Sequence, residues 1–585
     1  MAERIISSMK ACLIYVVYPI RKCKFLFFFS WILSYIICLS GNLLGIPSSL
    51  FLTFLLSISD SYLLCVFACI LNFIRLGWLV NLVVGIILYS ELFVVFFNHS
   101  FLNRYTVQLI LETNKGEGTQ FISSVIFSKE AFLASLIFLF AFCLVLFIVR
   151  VSKKELKFKN FLVYVLAILV IWSCIRQYSS YKKINRCFHA KKSIECEKQE
   201  NIPHLETPYI RLLYGIAYNL VLSGPELETL NASVAATVVD SCSFRCPFIL
   251  LVIGESYNKH RCFLYNKEEL PNTPRLQERL EKGNLVLYDD VISPYNHTHV
   301  VFRNMFSTWD DTCDDHWSNH TLFPAVFKKA GYNVFFITNQ FTVKSQDEYN
   351  ILGGTLFNHY NLSNLQFTGR NTDEHTFDLE LLGDIPDNTI LGARPTLLIV
   401  HLLGQHVAYC DRAPEEFKHF SPSQVNTDWG GENGKNITAD YENAVYYNDY
   451  VVDSLFKMFD HQDMVAIYFA DHGEEVYNWR DKFMRTDEET VLPQVAKYQY
   501  EIPFMFYMTE EFTEKHKDVA AEIEESSSKP FILTDFPNLL FHLGGIKVKD
   551  YNADKDLLSP QYDTTRKRLV RDIYDYDNLI KELRK

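Results

Sequence analysis

The chain has 585 residues, of which 49% are hydrophobic, and a formal net charge of -12. This length and composition predict several folded domains and exclude a disordered, collagen-like or small disulfide-stapled chain. The charge is unevenly placed: residues 1–180 carry 15 basic and 7 acidic residues, a balance of +8, and the remainder carries -20. Sixteen of the 17 histidines also follow residue 180. The acidic remainder argues against a nucleic-acid-binding surface, which needs clustered Lys and Arg.

The N-terminal third contains five apolar runs that are each long enough to cross a bilayer. A membrane-spanning helix needs roughly 20 mostly apolar residues. The runs lie near residues 25–45, 48–71, 77–98, 131–149 and 160–176. Because further apolar runs follow the first, we expect it to be retained rather than cleaved as a signal peptide. The sequence therefore predicts a transmembrane domain of five helices over residues 1–176.

Basic residues indicate the orientation of these spans. With the N-terminus inside, the inner segments hold eleven Lys and Arg residues, and the outer loops hold only Arg104, Lys115 and Lys129. By the positive-inside rule, five crossings place residues 177–585 on the outer face. Asp60 and Glu91 lie within predicted spans and allow two interpretations. Either they are functional charges inside the membrane, or Asp60 is protonated or paired and Glu91 reaches the outer interface.

Residues 177–240 are predicted to form a linker with interfacial amphipathic helices, and four β-prone runs follow it. The runs are Phe248–Ile253, Val334–Ile337, Thr396–Val400 and Val465–Phe469. Helical stretches between them, such as Thr321–Ala330 and Tyr441–Met458, predict alternating β and α units and a mainly parallel sheet over residues 241–585. Each run ends in polar residues, and the carboxyl ends of parallel strands meet at one edge of a sheet. We therefore expect these polar residues to form one site.

Three of the converging residues suggest a metal. Glu255 follows the first run, and Asp471 and His472 follow the fourth. Two carboxylates and one imidazole are ligands of the kind that hold a catalytic zinc ion with one position left open. An Asp-His-Gly turn taken alone is more often a hydrogen-bonded loop. Its position after a buried strand, with a Glu at the matching place on another strand, favours a metal site.

Thr298 is the candidate nucleophile. It precedes a predicted helix, Val300–Phe306, and a hydroxyl at a helix N-terminus lies near backbone N–H groups that favour an alkoxide or a bound phosphate. A zinc ion would lower the pKa of the hydroxyl further. The alternative is an ordinary Thr N-cap, which the local sequence alone favours.

Together these residues resemble the membrane phosphoethanolamine transferases of the alkaline-phosphatase/sulfatase superfamily. The resemblance covers nearly the whole chain. It is carried, in order, by ETNKGEGTQF, GESYNKHRCFLY, the Thr298 segment SPYNHTHVV, AGYNVFFITNQ, HLLGQH, YENAVYYNDYV, ADHGEEVYN and the C-terminal DLLSPQY. It implies an N-terminal five-helix transmembrane bundle in the cell inner membrane, followed by a periplasmic α/β/α sulfatase-like catalytic domain of the alkaline-phosphatase type.

The resemblance also implies roles for individual residues. Zinc would be the cofactor, bound by Glu255, Thr298, Asp471 and His472, and Thr298 would become phosphorylated. Substrate-binding roles would fall to Asn339, His401, His406, Glu474, Thr113, Asn114 and Glu117. The donor would be phosphatidylethanolamine, and the acceptor would be lipopolysaccharide, on lipid A or the core oligosaccharide, or another envelope glycan.

The chain departs from this pattern in two places. Many relatives carry a further His soon after the Asp-His-Gly turn, whereas residues 473–500 contain none. Arg480, Lys482 or Arg485 would then supply positive charge, although none of them acts as a near-neutral acid or base as His does. Gln405 also stands where Ser is common.

Two other functions stay open. A phosphoglycerol transferase of the lipoteichoic-acid-synthase kind would have a similar anchor and zinc site. A membrane-tethered binding protein on a catalytically decayed sulfatase-like fold would bind without turnover. A free sulfatase ranks lower, because it would normally need a Cys or Ser within its own modification motif at the nucleophile position.

Overall fold

The computed structural model describes residues 15–113, 115–155, 160–188, 207–221, 226–310, 312–342, 353–387, 391–488 and 490–583. The chain divides into two compact units. The first comprises Met1–Thr113, Ile122–Pro225 and Thr486–Glu489, and the second comprises Asn114–Phe121, Glu226–Arg485 and Thr490–Lys585. The domain boundaries predicted at residues 176 and 240 stay predictions.

Five helices among the described residues of the first unit are long and apolar enough to cross a membrane, as predicted. They are Lys24–Leu43, Leu50–Ile74, Gly77–Asn98, Lys129–Val151 and Val163–Phe188. The fifth continues twelve residues beyond its predicted end at residue 176. The sequence after that point is polar but contains no Gly or Pro up to Phe188, so nothing breaks the helix where its apolar run stops.

Both carboxylates within the membrane helices are hydrogen-bonded. Glu91 Oε1 lies 2.6 Å from Arg211 Nε, and Asp60 Oδ2 accepts a hydrogen bond of 2.5 Å from the Thr207 hydroxyl. These donors lie in or beside the helix Pro208–Val221. Because an unpaired polar group in hydrocarbon costs several kcal/mol, the two contacts fix that helix against the bundle. The geometry favours the paired interpretation of Asp60, and it shows that Glu91 is buried against Arg211.

A seven-stranded sheet forms the centre of the second unit. Its strands are β1 (Phe248–Gly254), β2 (Leu285–Tyr288), β3 (Asn333–Thr338), β4 (Gly369–Arg370), β5 (Thr396–His401), β6 (Val465–Ala470) and β7 (Phe504–Met508). The spatial order is β2-β7-β6-β1-β5-β3-β4. Strands β6, β1, β5, β3 and β4 are parallel, and β7 and β2 add an antiparallel edge. The four predicted strands therefore form the parallel core of the sheet, as expected.

Helices connect the strands and cover the sheet. The longer ones are Leu227–Ala235, Pro274–Glu281, Thr298–Phe306, Phe323–Ala330, Tyr360–Gln366, Gly431–Met458, Pro493–Tyr500, Lys517–Ser526, Phe536–Gly544 and Tyr576–Leu583. The predicted helix Tyr441–Met458 begins ten residues earlier than expected, at Gly431. All residues of β1, β5 and β6 are buried, as is typical of parallel strands covered on both faces.

Candidate active site

Two adjacent strands place the predicted metal ligands side by side. Gly254 and Ala470 are register partners at the ends of β1 and β6, so Glu255, Asp471 and His472 leave the sheet at the same edge. Ser256 turns the chain sharply with a φ of 54°, a conformation that costs a non-glycine residue energy and is typical of functional sites.

A close backbone approach holds Glu255 from the other side. Gly404 follows β5 with a φ of +53°, and a Cβ atom built on it would lie 2.8 Å from the backbone nitrogen of Glu255. The next residue, Gln405, donates its backbone N–H to the carbonyl oxygen of Glu255 at 3.0 Å. Only glycine fits this position without displacing Glu255.

The side chains of these residues converge on one point. His472 Nε2 lies 3.1 Å from Glu255 Oε1 and 3.2 Å from Asp471 Oδ2. Thr298 Oγ1 lies 2.9 Å from Glu255 Oε2 and 3.4 Å from His472 Nε2. Ligands at zinc–ligand distances of about 2.0–2.1 Å in a tetrahedron are about 3.3 Å apart. Four of the distances among the predicted ligands are therefore close to this separation, and their donor atoms are of types that zinc binds.

His472 is oriented for metal binding. Its Nδ1 lies 2.8 Å from the carbonyl oxygen of Gly473. A carbonyl oxygen can only accept a hydrogen bond, so Nδ1 carries the proton and Nε2 presents its lone pair to the site. Metal-bound histidines commonly donate their second ring nitrogen in this way.

The electrostatics of the cluster favour a divalent cation. The side chains of Glu255, Asp471 and His472 are fully buried. Burial would raise the pKa of Glu255, but His472 and Arg485 outweigh burial and hold that pKa well below its ordinary value. Burial and the negative charge of Glu255 raise the pKa of Asp471 well above its ordinary value, and burial with the positive charge of Arg485 lowers the pKa of His472. A bound metal would let both carboxylates ionise.

Thr298 does not act as a helix cap. The helix runs from Thr298 to Phe306, and its N-cap residue is His297. The hydroxyl of Thr298 donates instead to Glu255. The N-cap alternative is therefore wrong, because the chain enters the helix one residue earlier and leaves the hydroxyl free to face the carboxylates.

Sequence and structure comparisons agree with this architecture. The family model described as Sulfatase matches residues 247–545, about half of the chain. The chain belongs to the sulfatase family.

Named relatives of this sulfatase-family protein are phosphoethanolamine transferases. Phosphoethanolamine transferase EptC of Escherichia coli K12 is 27% identical over 345 residues, which is 57% of this chain and 57% of EptC. Phosphoethanolamine transferase EptA of Helicobacter pylori is 28% identical over 300 residues, which is 50% of this chain and 54% of EptA. The chain thus spans little more than half the length of these curated relatives.

Solved structures extend the similarity to the fold. The C-terminal periplasmic domain of EptC from Escherichia coli is 25% identical with a TM-score of 0.50, and the match covers 57% of this chain and 93% of that domain. The integral membrane lipooligosaccharide phosphoethanolamine transferase A from Neisseria meningitidis is 18% identical with a TM-score of 0.59. That match covers 92% of this chain and 98% of the Neisseria protein, so the sulfatase-family protein shares its fold over the membrane helices and the α/β domain.

The predicted substrate residues of the sulfatase-family protein lie in different surroundings. Asn339 and His406 line a cavity of about 560 Å³ together with Arg412, Lys418 and Glu374. The cavity thus presents both signs of charge to a ligand.

Two further predicted residues are held by hydrogen bonds. The buried Glu474 accepts a hydrogen bond from the hydroxyl of Tyr409, and burial raises its pKa to about 8 although Arg485 opposes this shift. His401 is fully buried and lies 3.0 Å from the Thr338 hydroxyl through Nδ1. Burial lowers the pKa of His401 to about 4, so it is a neutral core histidine beside the site.

Of the three predicted outer-loop residues, the structure describes the side chain of Thr113 alone. Thr113 belongs to the first unit and donates its hydroxyl to the backbone carbonyl of Leu109 at 2.6 Å. Asn114 and the side chain of Glu117 lie outside the described residues. The predicted roles of all seven substrate-binding residues stay predictions.

Sequence reasoning did not identify which cation follows the Asp-His-Gly turn. In the structure it is Arg485, whose Nη1 lies 2.6 Å from His472 Nε2 and 3.5 Å from Glu255 Oε1. Arg480 instead forms two hydrogen bonds of 2.7 and 2.8 Å with Glu475. Both arginines stand in the same short loop, so only their positions in the folded protein show which of them reaches the site.

A buried amide also went unnoticed. Gln499 accepts from Asn296 Nδ2 at 2.9 Å and donates to Glu475 Oε2 at 3.1 Å. Asn296 precedes Thr298 by two residues and Glu475 follows His472 by three. This bridge therefore joins the segment that carries the predicted nucleophile to the segment that carries two of the predicted metal ligands.

Proposed function

We propose that this protein is a zinc-dependent transferase that moves phosphoethanolamine from phosphatidylethanolamine to a cell-envelope glycolipid or glycan through a phosphothreonine at Thr298. The observation that carries the proposal is the hydroxyl of Thr298 at a helix N-terminus, 2.9 Å from Glu255 and 3.4 Å from His472. The names of the curated relatives support phosphoethanolamine as the transferred group.

The proposed location is the cell inner membrane, with the second unit on the periplasmic side. Attachment to five membrane helices would keep the enzyme at the bilayer that holds its lipid donor. The proposed acceptor is lipopolysaccharide, on lipid A or the core oligosaccharide. The cavity beside the site is lined by Arg412 and Lys418 and by Glu374, Asp411 and Glu415, so it offers cations for a phosphate and carboxylates for an ammonium group.

The residues present support a two-step transfer. Thr298 Oγ1 attacks the phosphorus of the donor, the bond from phosphorus to the diacylglycerol oxygen breaks, and the proton of Thr298 ends on diacylglycerol. An acceptor hydroxyl then attacks the same phosphorus, the Thr298–phosphorus bond breaks, and the acceptor proton returns to Thr298.

Each contact of Thr298 has a role in these steps. Glu255 accepts the hydrogen bond that orients the hydroxyl, and the backbone N–H groups at the start of the helix Thr298–Phe306 face the phosphoryl oxygens. A zinc ion on Glu255, Asp471, His472 and Thr298 would supply Lewis-acid stabilisation of negative charge on the reacting oxygens.

Replacing Thr298 tests the proposal. T298A is expected to abolish transfer because the change removes the nucleophile. The protein should keep its fold and its zinc, because three of the four proposed ligands remain. T308A is the matched control, since the Thr308 hydroxyl is exposed and contacts Asp550. Mass spectrometry of envelope glycolipids and glycans from cells with each variant measures the phosphoethanolamine increment.

The same experiment separates the other functions. Full transfer by T298A would refute the nucleophile assignment. A glycerol-phosphate increment would identify a phosphoglycerol transferase. A wild-type protein that holds zinc but produces no increment and no phosphothreonine at position 298 would be a binding protein.

A further inference from the structure

Arg485 places a guanidinium group inside the buried ligand cluster. Its side chain is 15% exposed, and its Nη1 lies 2.6 Å from His472 Nε2 and 3.5 Å from Glu255 Oε1. Its Nε lies 3.5 Å from Glu474 Oε2. The charge of Arg485 is thus shared between two predicted zinc ligands and one carboxylate that is not a ligand.

The contact with His472 competes directly with metal binding. Arginine can only donate hydrogen bonds, and the proton of His472 is on Nδ1, which faces the carbonyl of Gly473. The lone pair of Nε2 therefore accepts from Arg485. A nitrogen lone pair serves one partner at a time, so this hydrogen bond and a bond to zinc exclude each other.

The arginine can leave His472 without leaving the site. Its Nε faces Glu474, and Glu474 is itself fixed by the Tyr409 hydroxyl. Rotation about the outer bonds of the side chain would carry Nη1 away from His472 while Nε stays beside Glu474. Thr298 Oγ1 lies 3.4 Å from the same His472 nitrogen, so Thr298 and Arg485 flank one atom, and a phosphoryl group on Thr298 would extend into the surroundings of the displaced guanidinium group.

We propose that Arg485 is a two-position cation: it neutralises the ligand cluster in the metal-free enzyme, and when zinc binds it moves to the oxygens of the phosphoryl group at Thr298. The second half rests on the proposed function. A guanidinium group presents paired donors that match phosphate oxygens, and the zinc ion would take over the charge that Arg485 supplies to Glu255 and His472. Arg485 is then both a competitor for the metal and a ligand for the substrate.

Zinc binding and unfolding of the full-length protein in detergent test the first half. R485Q is expected to lower the unfolding temperature of the chelator-stripped protein more than that of the zinc-loaded protein. It should also tighten zinc binding about tenfold, as expected for loss of one competing charge-assisted hydrogen bond. Competition with a chromophoric chelator measures the affinity, and R485K should fall between wild type and R485Q.

R275Q is the matched control. Arg275 pairs with the buried carboxylate of Asp449 at 3.3 Å and is 27% exposed. This variant should destabilise the stripped and zinc-loaded proteins equally and leave zinc affinity unchanged. If R485Q behaves like R275Q, Arg485 is a structural ion pair and the proposal is wrong. If R485Q folds only with zinc, the stripped protein has lost far more stability than the zinc-loaded protein, and this outcome supports the proposal.

Inorganic phosphate tests the second half. Phosphate binding to the zinc-loaded protein should weaken about tenfold in R485Q, because one charged donor pair is lost, and should be unchanged in R275Q. Unchanged phosphate affinity in R485Q would overturn the substrate role. None of these measurements requires turnover. A wild-type protein without transferase activity would refute the proposed function and with it the role of Arg485 at a phosphoryl group on Thr298, whereas the competition between Arg485 and zinc is decided by the zinc measurements alone.

Discussion

Replacing Gln499 with Met is expected to misplace Thr298, the proposed nucleophile, without removing any of the proposed metal ligands. The side chain is fully buried and bridges Asn296 to Glu475 through hydrogen bonds of 2.9 and 3.1 Å. Met has a similar volume, so the packing cost of the change stays below about 1.5 kcal/mol. Both hydrogen bonds are lost, and each partner then lacks one bond that the fold supplied.

The magnitude follows from these two contacts. Losing a hydrogen bond costs about 0.5–1.5 kcal/mol between neutral groups and about 1.5–3 kcal/mol when one partner is charged, so Q499M should lower the free energy of unfolding by about 2–4.5 kcal/mol. Asn296 stands two residues before Thr298. A displacement of about 1 Å at a reacting atom reduces turnover about 100-fold. We therefore expect kcat to fall by that order while the KM for the lipid donor changes little.

Gln366 provides a matched control. It is equally buried, and its amide donates to the carbonyls of Leu356 and Leu362 at 2.8 and 3.2 Å. Q366M should lose similar stability and keep kcat. Phosphoethanolamine transfer in detergent micelles and urea unfolding measure the two effects. If Q499M and Q366M lose equal stability and both keep kcat, Gln499 does not position Thr298.

Two other changes probe the backbone near Glu255 and a distant histidine. G404A should weaken zinc binding and reduce transfer, because the new Cβ would press on the backbone of Glu255. The left-handed backbone conformation adds roughly 1–2 kcal/mol of strain. Chelator competition measures the zinc affinity, and an unchanged value would contradict this prediction. His542 has a raised pKa because its hydrogen bonds to Asp556 and Glu522 outweigh burial. Its stabilising contribution is complete below the ordinary value of 6.5 and is lost as pH rises through the raised pKa. The difference in unfolding free energy between wild type and H542N should therefore shrink as pH rises above 6.5; a difference that stays constant or grows would refute the assignment.

G283A separates strain from contact in the first of these tests. Gly283 also has a positive φ, +79°, but a Cβ there would meet nothing within 4 Å. This variant should lose stability through backbone strain alone and bind zinc like the wild type.

The sequence was sufficient to predict the parallel centre of the sheet because that information is local. Each central strand is a short apolar run, and Glu255 and Asp471 follow two of them directly. Parallel strands share the edge at which they end, so adjacency in space could be inferred from position along the chain. The antiparallel strand Phe504–Met508, which lies between Val465–Ala470 and the edge strand Leu285–Tyr288, was missed because it lies outside the alternation of β and α units.

Other features depended on which of several equivalent residues reaches the site. Arg480 and Arg485 are five residues apart in one irregular loop, and no periodicity distinguishes them. Only the fold shows that Glu475 engages the first and His472 the second. Gln499 was missed for a similar reason. An isolated amide in a helix gives no sign of its partners, and here Glu475 is more than twenty residues away and Asn296 more than two hundred.

The hydrogen bonds of Glu91 and Asp60 bear on how the membrane helices are made. Both carboxylates leave the ribosome long before Thr207 and Arg211, which supply hydrogen bonds to them. During synthesis the first three spans would thus carry two polar groups that still lack these donors, until more than one hundred further residues have been added. A fragment that ends at residue 176 would retain that defect permanently, whereas one that ends at Val221 would contain both donors.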